Sequence, residues 1–498
     1  MGVYLNPGND KFYKAINSEI YVDKTELIQY TNRVFNTMQQ NVCVSRPRRF
    51  GKSMTANMLA AYYSRGCQSE KLFDGLKIKE DSSFSKYLNK YNVFFINMQE
   101  FLSRSKTVEK MVLRLNRILM RDLKQEYPDV DYFDEEDLAE SMQDVYQQTG
   151  CPFVIIIDEW DCIFREYKSD KEAQEQYLDF LRDFLKDKSY IHLAYMTGIL
   201  PIKKDGSQSA ISDFEEFTMV KPRKFAPYVG FTEQEVKNLC SEYQIDFSKM
   251  KLWYDGYSFP NAKSIYNPNS VMKALRNDDF DSYWTQTSAA ESLMEYISLD
   301  YDGLSKTIAE LIGGIEVEVD TSGFSNDLVT FREKDDVLTL LIHLGYLAYD
   351  KETEKVHIPN EEIKREFSRT IRGVRRNETI QRVRESDQII SDTVHMNADA
   401  VAAQIEKIHT EETTALFYNN EQALRSVIKL AYFSYRDYYL KFEELPSGNG
   451  YADIVYFPKK TSNLPALVVE MKWDKSAEGA IAQIKKRNYP AVIKEFGG

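Results

Sequence analysis

The sequence lacks the long apolar runs that membranes require. No stretch approaches the roughly 20 apolar residues that span a bilayer. The first residues, MGVYLNPGNDKFYK, also lack a basic region followed by an apolar run, which is the pattern of a secretory signal. These absences predict a soluble protein that is not exported.

Cysteine is scarce and scattered. The 498 residues include five cysteines, at positions 43, 67, 151, 162 and 240, and none of them forms a CxxC or metal-finger spacing. An odd number of widely separated cysteines argues against a disulfide framework. The simplest interpretation is a reducing, cytoplasmic environment.

Positive charge is in deficit. There are 64 basic and 77 acidic side chains, which give a net charge of -13. Such a surface does not coat nucleic acid, so any polyanion must bind a local patch. With 43% apolar residues, no internal repeat and no low-complexity segment, the chain is long enough for two or three domains joined by short linkers.

Four short apolar runs in the first half predict buried strands. They lie in the segments 42–44, 92–98, 151–161 and 192–198, and helical patterns separate them. Runs that are continuously apolar, rather than alternating, are typical of a parallel sheet covered on both faces. Residues 1–229 are therefore predicted to form an α/β domain.

The rest of the chain changes character twice. Residues 230–385 are mostly helical in pattern, except where the helix DDVLTLLIHL precedes a hairpin in GYLAYDKETEKVHIPN, as in a winged helix. Residues 386–498 combine a helix at 418–432, the strands YADIVYF and ALVVEMKW, and a helix from Ala477 to Lys486. This order predicts a small C-terminal α/β module.

A loop that suits phosphate follows the first strand. Residues 45–53, SRPRRFGKS, match the last three positions of a Walker A loop, although its usual first glycine is missing. Lys52 would reach the β and γ phosphates of ATP and the Ser53 hydroxyl would hold Mg²⁺. A bare GKS triplet can also be a plain helix start. The predicted nucleotide-binding residues here are Arg49, Phe50, Gly51, Lys52, Ser53 and Met54.

The strand that ends at Ile157 supplies an acidic partner for this loop. Asp158 can hold Mg²⁺ through water, and Glu159 can orient the water that attacks the γ phosphate. The alternative is an ordinary acidic strand end or helix cap formed with Asp161. Because doubly wound sheets bind ligands at this edge, the two motifs together predict ATP binding and hydrolysis.

Other residues near the loop allow two interpretations each. Thr197, at the end of its strand, is either a γ-phosphate sensor or a turn residue. Arg46, Arg48 and Arg49 either stabilise charge on the transferred phosphoryl group or form a surface cluster that attracts nucleotide. If a neighbouring subunit supplies the arginine instead, the protein must be a homo-oligomer.

A second set of charged residues lies near the C-terminus. Glu470 and Lys472 follow Asp453 by seventeen and nineteen residues, and their alternation places both on one face of a strand. Asp453 and Glu470 would bind Mg²⁺, and Lys472 would position or deprotonate water for phosphodiester hydrolysis. Gln483 on the next helix could orient this site. The alternative is a solvated Glu470–Lys472 pair.

A series of segments follows in order along the chain without a long gap: YVDKTELI, RPRRFGKS, IIIDEWD, MTGILPIKK, GFTEQEV, WYDGY, IYNPNSV, SGNGYADIVYFPKK and ALVVEMKWDKSAEGAIAQIKKRNYP. In these segments the chain resembles a bacterial family in which an AAA-ATPase-like domain precedes a PD-(D/E)xK nuclease domain. The resemblance implies a P-loop sheet domain over 1–229, a helical lid and winged-helix-like region over 230–385, and a restriction-endonuclease-like domain over 386–498.

This resemblance also implies the site residues. It assigns Lys52, Ser53, Asp158 and Glu159 to the nucleotide site, and the set Asp453, Glu470, Lys472 and Gln483 to the nuclease site. Two departures stand out, because some relatives have GRxD at 450–453, where this chain has GYAD, and relatives continue through a further strand where this sequence ends at Gly498. We expect that end to leave an edge of the nuclease sheet open.

The leading hypothesis is an ATP-regulated nuclease acting in genome defence or mobile-element biology. The alternatives are a nucleotide-dependent switch that binds nucleic acid or a protein without cutting, and a mechanical ATPase. Segment 364–384, with eight basic and two acidic residues, is the best nucleic-acid patch, or else a solvated helix. The aromatics of WYDGY, 253–257, are expected to pack in the core rather than stack on bases. The choice between DNA and RNA stays open.

Overall fold

The computed structural model describes most of the chain and divides it into two units. The described residues are 2–202, 211–284, 303–324, 331, 333–373, 378–412, 421–447, 450–459, 464–472 and 477–486. The first unit comprises Met1–Gln286 and Glu318–Ile363, and the second comprises Thr287–Val317 and Lys364–Gly498. These bounds differ from the three predicted segments, since much of 230–385 belongs to the first unit.

The first unit is built on a five-stranded parallel sheet. Its strands are β1 (Asn41–Ser45), β2 (Asn92–Asn97), β3 (Phe153–Asp158), β4 (Ile191–Gly198) and β5 (Glu215–Phe217), in the order β2-β3-β4-β1-β5. Every residue of β3 is buried, as its unbroken apolar run requires. The prediction of a parallel α/β sheet is therefore confirmed.

Nine helices of this unit precede β5 in the described part of the chain. Helix α3 begins at Lys52, as predicted, and α6 buries Met111, Leu115, Leu119 and Leu123 along one stripe. The helices are α1 (Asp10–Ile16), α2 (Glu26–Val34), α3 (Lys52–Tyr63), α4 (Phe84–Tyr87), α5 (Met98–Ser103), α6 (Val108–Glu126), α7 (Leu138–Thr149), α8 (Cys162–Glu166) and α9 (Lys171–Leu185).

A smaller subdomain follows the sheet within the first unit. Trp253 and Tyr254 are buried in its core, which confirms that the WYDGY aromatics pack rather than lie open. A capping box between Thr232 and Glu235 starts its first helix. The elements are β6 (Phe231–Thr232), α10 (Glu233–Tyr243), α11 (Phe247–Tyr254), β7 (Tyr257–Phe259), β8 (Ala262–Tyr266) and α12 (Pro268–Asn277), with the strands ordered β6-β8-β7.

The predicted helix and hairpin are both present. Helix α13 (Leu304–Ile312) and strand β9 (Val317–Glu318) come first in this region. Helix α14 (Lys334–Leu344) then precedes two antiparallel strands, β10 (Ala348–Asp350) and β11 (Lys355–His357). Helix α15 (Glu361–Gly373) follows the hairpin.

The second unit combines helices with an antiparallel sheet. Its helices are α13, α16 (Glu378–Val394), α17 (Ala398–Glu412), α18 (Glu421–Ala431) and α19 (Ala477–Lys486). Its sheet has the order β12-β13-β14, with β12 (Tyr439–Ser447), β13 (Gly450–Pro458) and β14 (Leu467–Val469). Strand β14 ends before Glu470, so the predicted strand ALVVEMKW is shorter than expected. Across the described ranges, no helix is long and apolar enough to cross a membrane.

Candidate functional sites

The loop between β1 and α3 folds around its own lysine. Lys52 is only 5% exposed, and its Nζ donates hydrogen bonds to the carbonyls of Arg46 and Pro47, at 2.9 and 2.8 Å. Gly51, at φ 93°, and Arg49, at φ 67°, both adopt the left-handed conformation that turns the chain into the helix. The loop therefore presents a positioned ammonium group at a helix N-terminus, which suits a phosphate.

Acidic residues surround this buried cation. The pKa of Lys52 is lowered, because the effect of burial exceeds the opposing effect of the nearby carboxylates of Glu159, Asp161 and Asp158. Because burial disfavours the charged form of Lys52, an anion bound beside the ammonium group would stabilise that form. The electrostatics thus favour a ligand that brings negative charge to the lysine.

Asp158 is held at the end of β3 by its two neighbouring strands. It is 2% exposed, and it accepts hydrogen bonds from Thr197 Oγ1 on β4, at 2.5 Å, and from Asn97 Nδ2 on β2, at 3.3 Å. Thr197 is fully buried. Its hydroxyl thus anchors Asp158, and its predicted role as a phosphate sensor stays a prediction. The contribution of Asn97 was missed by sequence reasoning.

Glu159 follows Asp158 and is partly exposed. Its backbone has a positive φ of 58°, which is rare for residues other than glycine, and its side chain is 25% exposed. Its carboxylate forms a short ion pair with Arg165 of α8. Arg165 was also missed from the sequence, although its place four residues after Asp161 on a helix was a usable signal.

The loop between β1 and α3 lines one cavity of about 710 Å³, a volume typical of ligand sites. The side of the cavity formed by the loop holds all six predicted residues from Arg49 to Met54, and Glu159 and Arg165 line it too. Asp158 and Thr197 do not. Further lining residues are mostly apolar, and they include Phe12, Ile20, Tyr21, Val22, Phe231 and Met272. The cavity can therefore accept a ligand that is charged at one end and apolar at the other.

Arg46 does not take part in this cavity. It is fully buried, with its NH1 donating to the carbonyls of Ser45 and Phe217 and its guanidinium lying 5.3 Å from the ring of Phe259. Burial lowers the pKa of Arg46 to about 10. The expectation that it contacts a phosphoryl group is therefore replaced by a packing role, whereas Arg48 and Arg49 do line the cavity.

Comparison with known proteins agrees with this geometry. Residues 8–207 match the family model described as predicted AAA-ATPase, AAA-ATPase-like. This part of the chain is an AAA-ATPase-like domain. Its matched range includes the loop, the strand ends and Glu159.

One curated relative and several solved structures resemble the chain more distantly. The relative is an uncharacterized protein in the vnfD 5' region of Azotobacter chroococcum mcd 1, 23% identical over 294 residues. The alignment covers 56% of this chain and 52% of the relative, so the chain spans about half the length of the curated relative it matches.

Two solved structures are similar to the chain at low identity. The Walker-type ATPase of Pyrococcus abyssi has a TM-score of 0.35 and 13% identity, covering 69% of this chain and 94% of its own. The Aeropyrum pernix ORC2 protein has a TM-score of 0.32 and 12% identity, covering 72% and 97%. Similarities at this level do not bear on function.

The second site lies outside the AAA-ATPase-like domain, on the sheet of the second unit. Strand β13 pairs with β14 at Ile454–Val469 and Val455–Val468, and Asp453 and Glu470 are the residues next to Ile454 and Val469 at the end of this ladder. The Met471 N–H donates to Asp453 Oδ2 at 2.7 Å, which ties the two segments together.

The predicted partners of Glu470 gather around it. Lys472 Nζ donates to Glu470 Oε1 at 2.6 Å, and Gln483 of α19 donates a short hydrogen bond to the same oxygen. Arg425 of α18, which sequence reasoning missed, lies 3.6 Å from Asp453 Oδ1. All four predicted residues of this site, 453, 470, 472 and 483, are thus brought together.

This site has features that suit a small divalent cation. The side chain of Glu470 is 2% exposed, and its Oε2 has no hydrogen-bond partner among the described residues, which leaves a buried oxygen to be satisfied. Mg²⁺ is held by one or two carboxylates and several waters, so Asp453 and Glu470 fit it. Within the described residues, no group of three or more His, Cys, Asp or Glu side chains could hold a metal by itself.

The predicted basic patch is only partly described. Lys364 is buried and lies over the ring of Tyr435 at 5.7 Å, so it does not contribute to an exposed surface. Arg369 pairs with Glu366 at 3.3 Å. Residues 375 and 376 lie outside the described residues, and the side chains at 372, 382 and 384 are not described either.

Proposed function

We propose that the first unit binds ATP with Mg²⁺ and hydrolyses it. The observation that carries this proposal is the buried Lys52 ammonium, which shares one cavity with Glu159. A triphosphate at the loop would accept the Nζ hydrogen bonds that Lys52 now donates to two carbonyls. Glu159 would orient the attacking water.

The oxygens of Ser53 and Asp158 are of the kind that Mg²⁺ prefers. Ser53 is exposed to the cavity at the start of α3, and Asp158 has a fixed orientation because Thr197 and Asn97 hold it. These residues would hold the ion, which would neutralise charge on the phosphates. Thr197 would then act by keeping Asp158 in place.

Phosphate release from ATP tests this activity. We expect Lys52→Ala and Glu159→Gln each to reduce turnover by about 100-fold, the loss typical of a missing positioned group. Lys110→Ala and Glu109→Gln, which change two exposed residues of α6, are matched controls that should retain full ATP turnover. Equal turnover in Lys52→Ala and Lys110→Ala would refute ATP hydrolysis at this loop.

For the second unit, we propose metal-dependent cleavage of nucleic-acid phosphodiester bonds. The carrying observation is the buried Oε2 of Glu470, which has no hydrogen-bond partner among the described residues, together with the hydrogen bond from the adjacent Met471 N–H to Asp453. Asp453 and Glu470 would hold Mg²⁺, while the ammonium of Lys472, anchored by Glu470, would position water and balance phosphorane charge. Gln483 would orient Glu470.

Cleavage of labelled DNA and RNA with Mg²⁺ or Mn²⁺ tests this second activity. Glu470→Ala should abolish cleavage, whereas Glu406→Ala, an exposed residue of α17, should not. Cleavage that survives in Glu470→Ala would reject the site. Nucleic-acid binding without any cleavage in the unaltered chain would favour the alternative, a nucleotide-dependent switch or motor.

A further inference from the structure

Arg165 is shared between two acidic residues of the nucleotide site. One NH2 group forms the short ion pair with Glu159, and Nε lies 3.3 Å from Asp161 Oδ2. The arginine side chain is only 13% exposed. A guanidinium offers several N–H donors in one plane, so it can hold one partner while it exchanges the other.

Asp161 is the fixed partner of the two. It is fully buried, and its Oδ2 accepts hydrogen bonds from the backbone N–H groups of Ile199 and Leu200, at 3.0 and 2.9 Å. These bonds join it to the segment after β4. Asp161 therefore holds Arg165 in place whichever group occupies the other side of the guanidinium.

Glu159 is the partner that can be exchanged. It is more exposed than Asp161, and it lines the same cavity as Lys52, Arg48 and Arg165. Burial is the largest effect that lowers the pKa of both Lys52 and Arg48, and the positive charge of Arg165 lowers both pKa values further. An anion bound at Lys52 would therefore also meet Arg165.

We propose that the γ phosphate of a bound nucleoside triphosphate takes Arg165 from Glu159, while Asp161 keeps the guanidinium in place. The released Glu159 carboxylate can then bind the attacking water. A diphosphate, which lacks the γ group, leaves the Glu159–Arg165 pair intact. Arg165 is thus a positioning residue that links triphosphate recognition to the freedom of Glu159, and this inference rests on the proposed ATPase function.

The test is a double-mutant cycle in binding, without turnover. Calorimetric titrations with Mg²⁺ would measure β,γ-imido-ATP and ADP against the full chain carrying Glu159→Gln, Arg165→Gln, both changes or neither. Since the pair must break for the triphosphate alone, Glu159→Gln should tighten imido-ATP binding by about tenfold. Arg165→Gln should weaken it by about as much and abolish the effect of Glu159→Gln. ADP affinity should stay within about twofold.

Two outcomes would overturn the inference. One is a Glu159→Gln effect that is equal for ADP and imido-ATP, and the other is an effect that persists when Arg165 is already glutamine. If Arg165→Gln fails to fold, Arg165→Lys replaces it in the cycle, because lysine keeps the charge but cannot hold both partners in one plane.

Failure of the proposed function would look different. If the unaltered chain binds neither nucleotide, the ATPase proposal fails and takes this inference with it. A different result is that the unaltered chain binds both nucleotides and Lys52→Ala abolishes this binding. If the variants at Glu159 and Arg165 then change the affinities for triphosphate and diphosphate equally, only the partner exchange is refuted.

Discussion

The Thr197 hydroxyl donates a 2.5 Å hydrogen bond to the buried Asp158 carboxylate, joining the end of β4 to the end of β3. Strand β4 also pairs with β1, where Val44 lies beside Thr197. One strand thus connects the segment that leads into the phosphate loop with the acidic residue expected to face it. The position of Asp158 depends on this connection.

Thr197→Val should therefore destabilise the first unit. The substitution keeps the shape of the side chain but leaves one oxygen of a buried carboxylate without its donor, at a cost of about 1–3 kcal/mol. Thermal and urea unfolding would measure the loss. Thr353→Val, at an exposed turn position, is the matched control, and an equal effect in both variants would show that the hydrogen bond contributes nothing.

Gly198→Ala should disturb the same strand end. A Cβ at Gly198 would lie 2.6 Å from Trp160 Nε1 and 2.9 Å from Asp161 Oδ1, so one of these buried groups must move. Overpacking of this kind costs about 1–3 kcal/mol. We expect a lower midpoint in urea unfolding together with reduced ATP turnover.

The control for that change is Gly323→Ala, since a Cβ there would meet no atom of the described residues within 4 Å. It should leave both properties unaltered. Unchanged stability in Gly198→Ala would mean that the close packing against Trp160 is not required.

His343 should make stability fall in acid. Burial and the charge of Arg46 lower the pKa of His343 from 6.5 to about 3, so the folded chain keeps it neutral. The unfolded chain takes up a proton below pH 6.5, so stability present above that pH is lost as pH falls toward 3. One such group contributes a slope of about 1.4 kcal/mol per pH unit.

His343→Leu should flatten the dependence of unfolding free energy on pH between 6 and 4, relative to the unaltered chain. Urea titrations at several pH values would measure the difference in slope. His395→Leu, an exposed position, serves as the control. Identical slopes for the unaltered chain and His343→Leu would contradict the buried, neutral histidine.

The metal site that we propose for the second unit predicts stabilisation by a divalent ion. Mn²⁺ in the millimolar range should raise the unfolding temperature, because an ion that binds only the folded state stabilises it. Glu470→Gln should remove this shift, since a neutral amide replaces the buried carboxylate with the unpartnered oxygen. A shift of the same size in Glu470→Gln would place the ion elsewhere.

Much of the first sheet could be predicted from sequence because its strands are buried on both faces. A continuous apolar run such as that of β3 has few other stable solutions. Strands β5 and β12 were missed for the opposite reason. The first is three residues long, Glu-Glu-Phe, and the second interrupts its apolar alternation with Glu443, Glu444 and Pro446.

The site residues on one local motif were easier to predict than their distant partners. Lys52 and Ser53 were predicted from the loop, Asp453 from strand β13, and Glu470 from the apolar run that ends just before it. Arg46, beside the loop, is buried because its guanidinium donates a hydrogen bond to the Phe217 carbonyl and lies over the Phe259 ring. Both partners are far away in sequence. Arg425 lies near Asp453 for a similar reason, since α18 must first fold beside the sheet. Such pairings exist only in the folded chain.

The most direct test of an ATP-regulated nuclease is metal-dependent cleavage of labelled nucleic acid, with and without ATP, by the unaltered chain and by Lys52→Ala and Glu470→Ala. We predict that cleavage requires ATP and is lost in both variants, because one removes the phosphate-binding cation and the other a metal ligand. Cleavage that is equally fast without ATP and unaffected by Lys52→Ala would contradict the coupling.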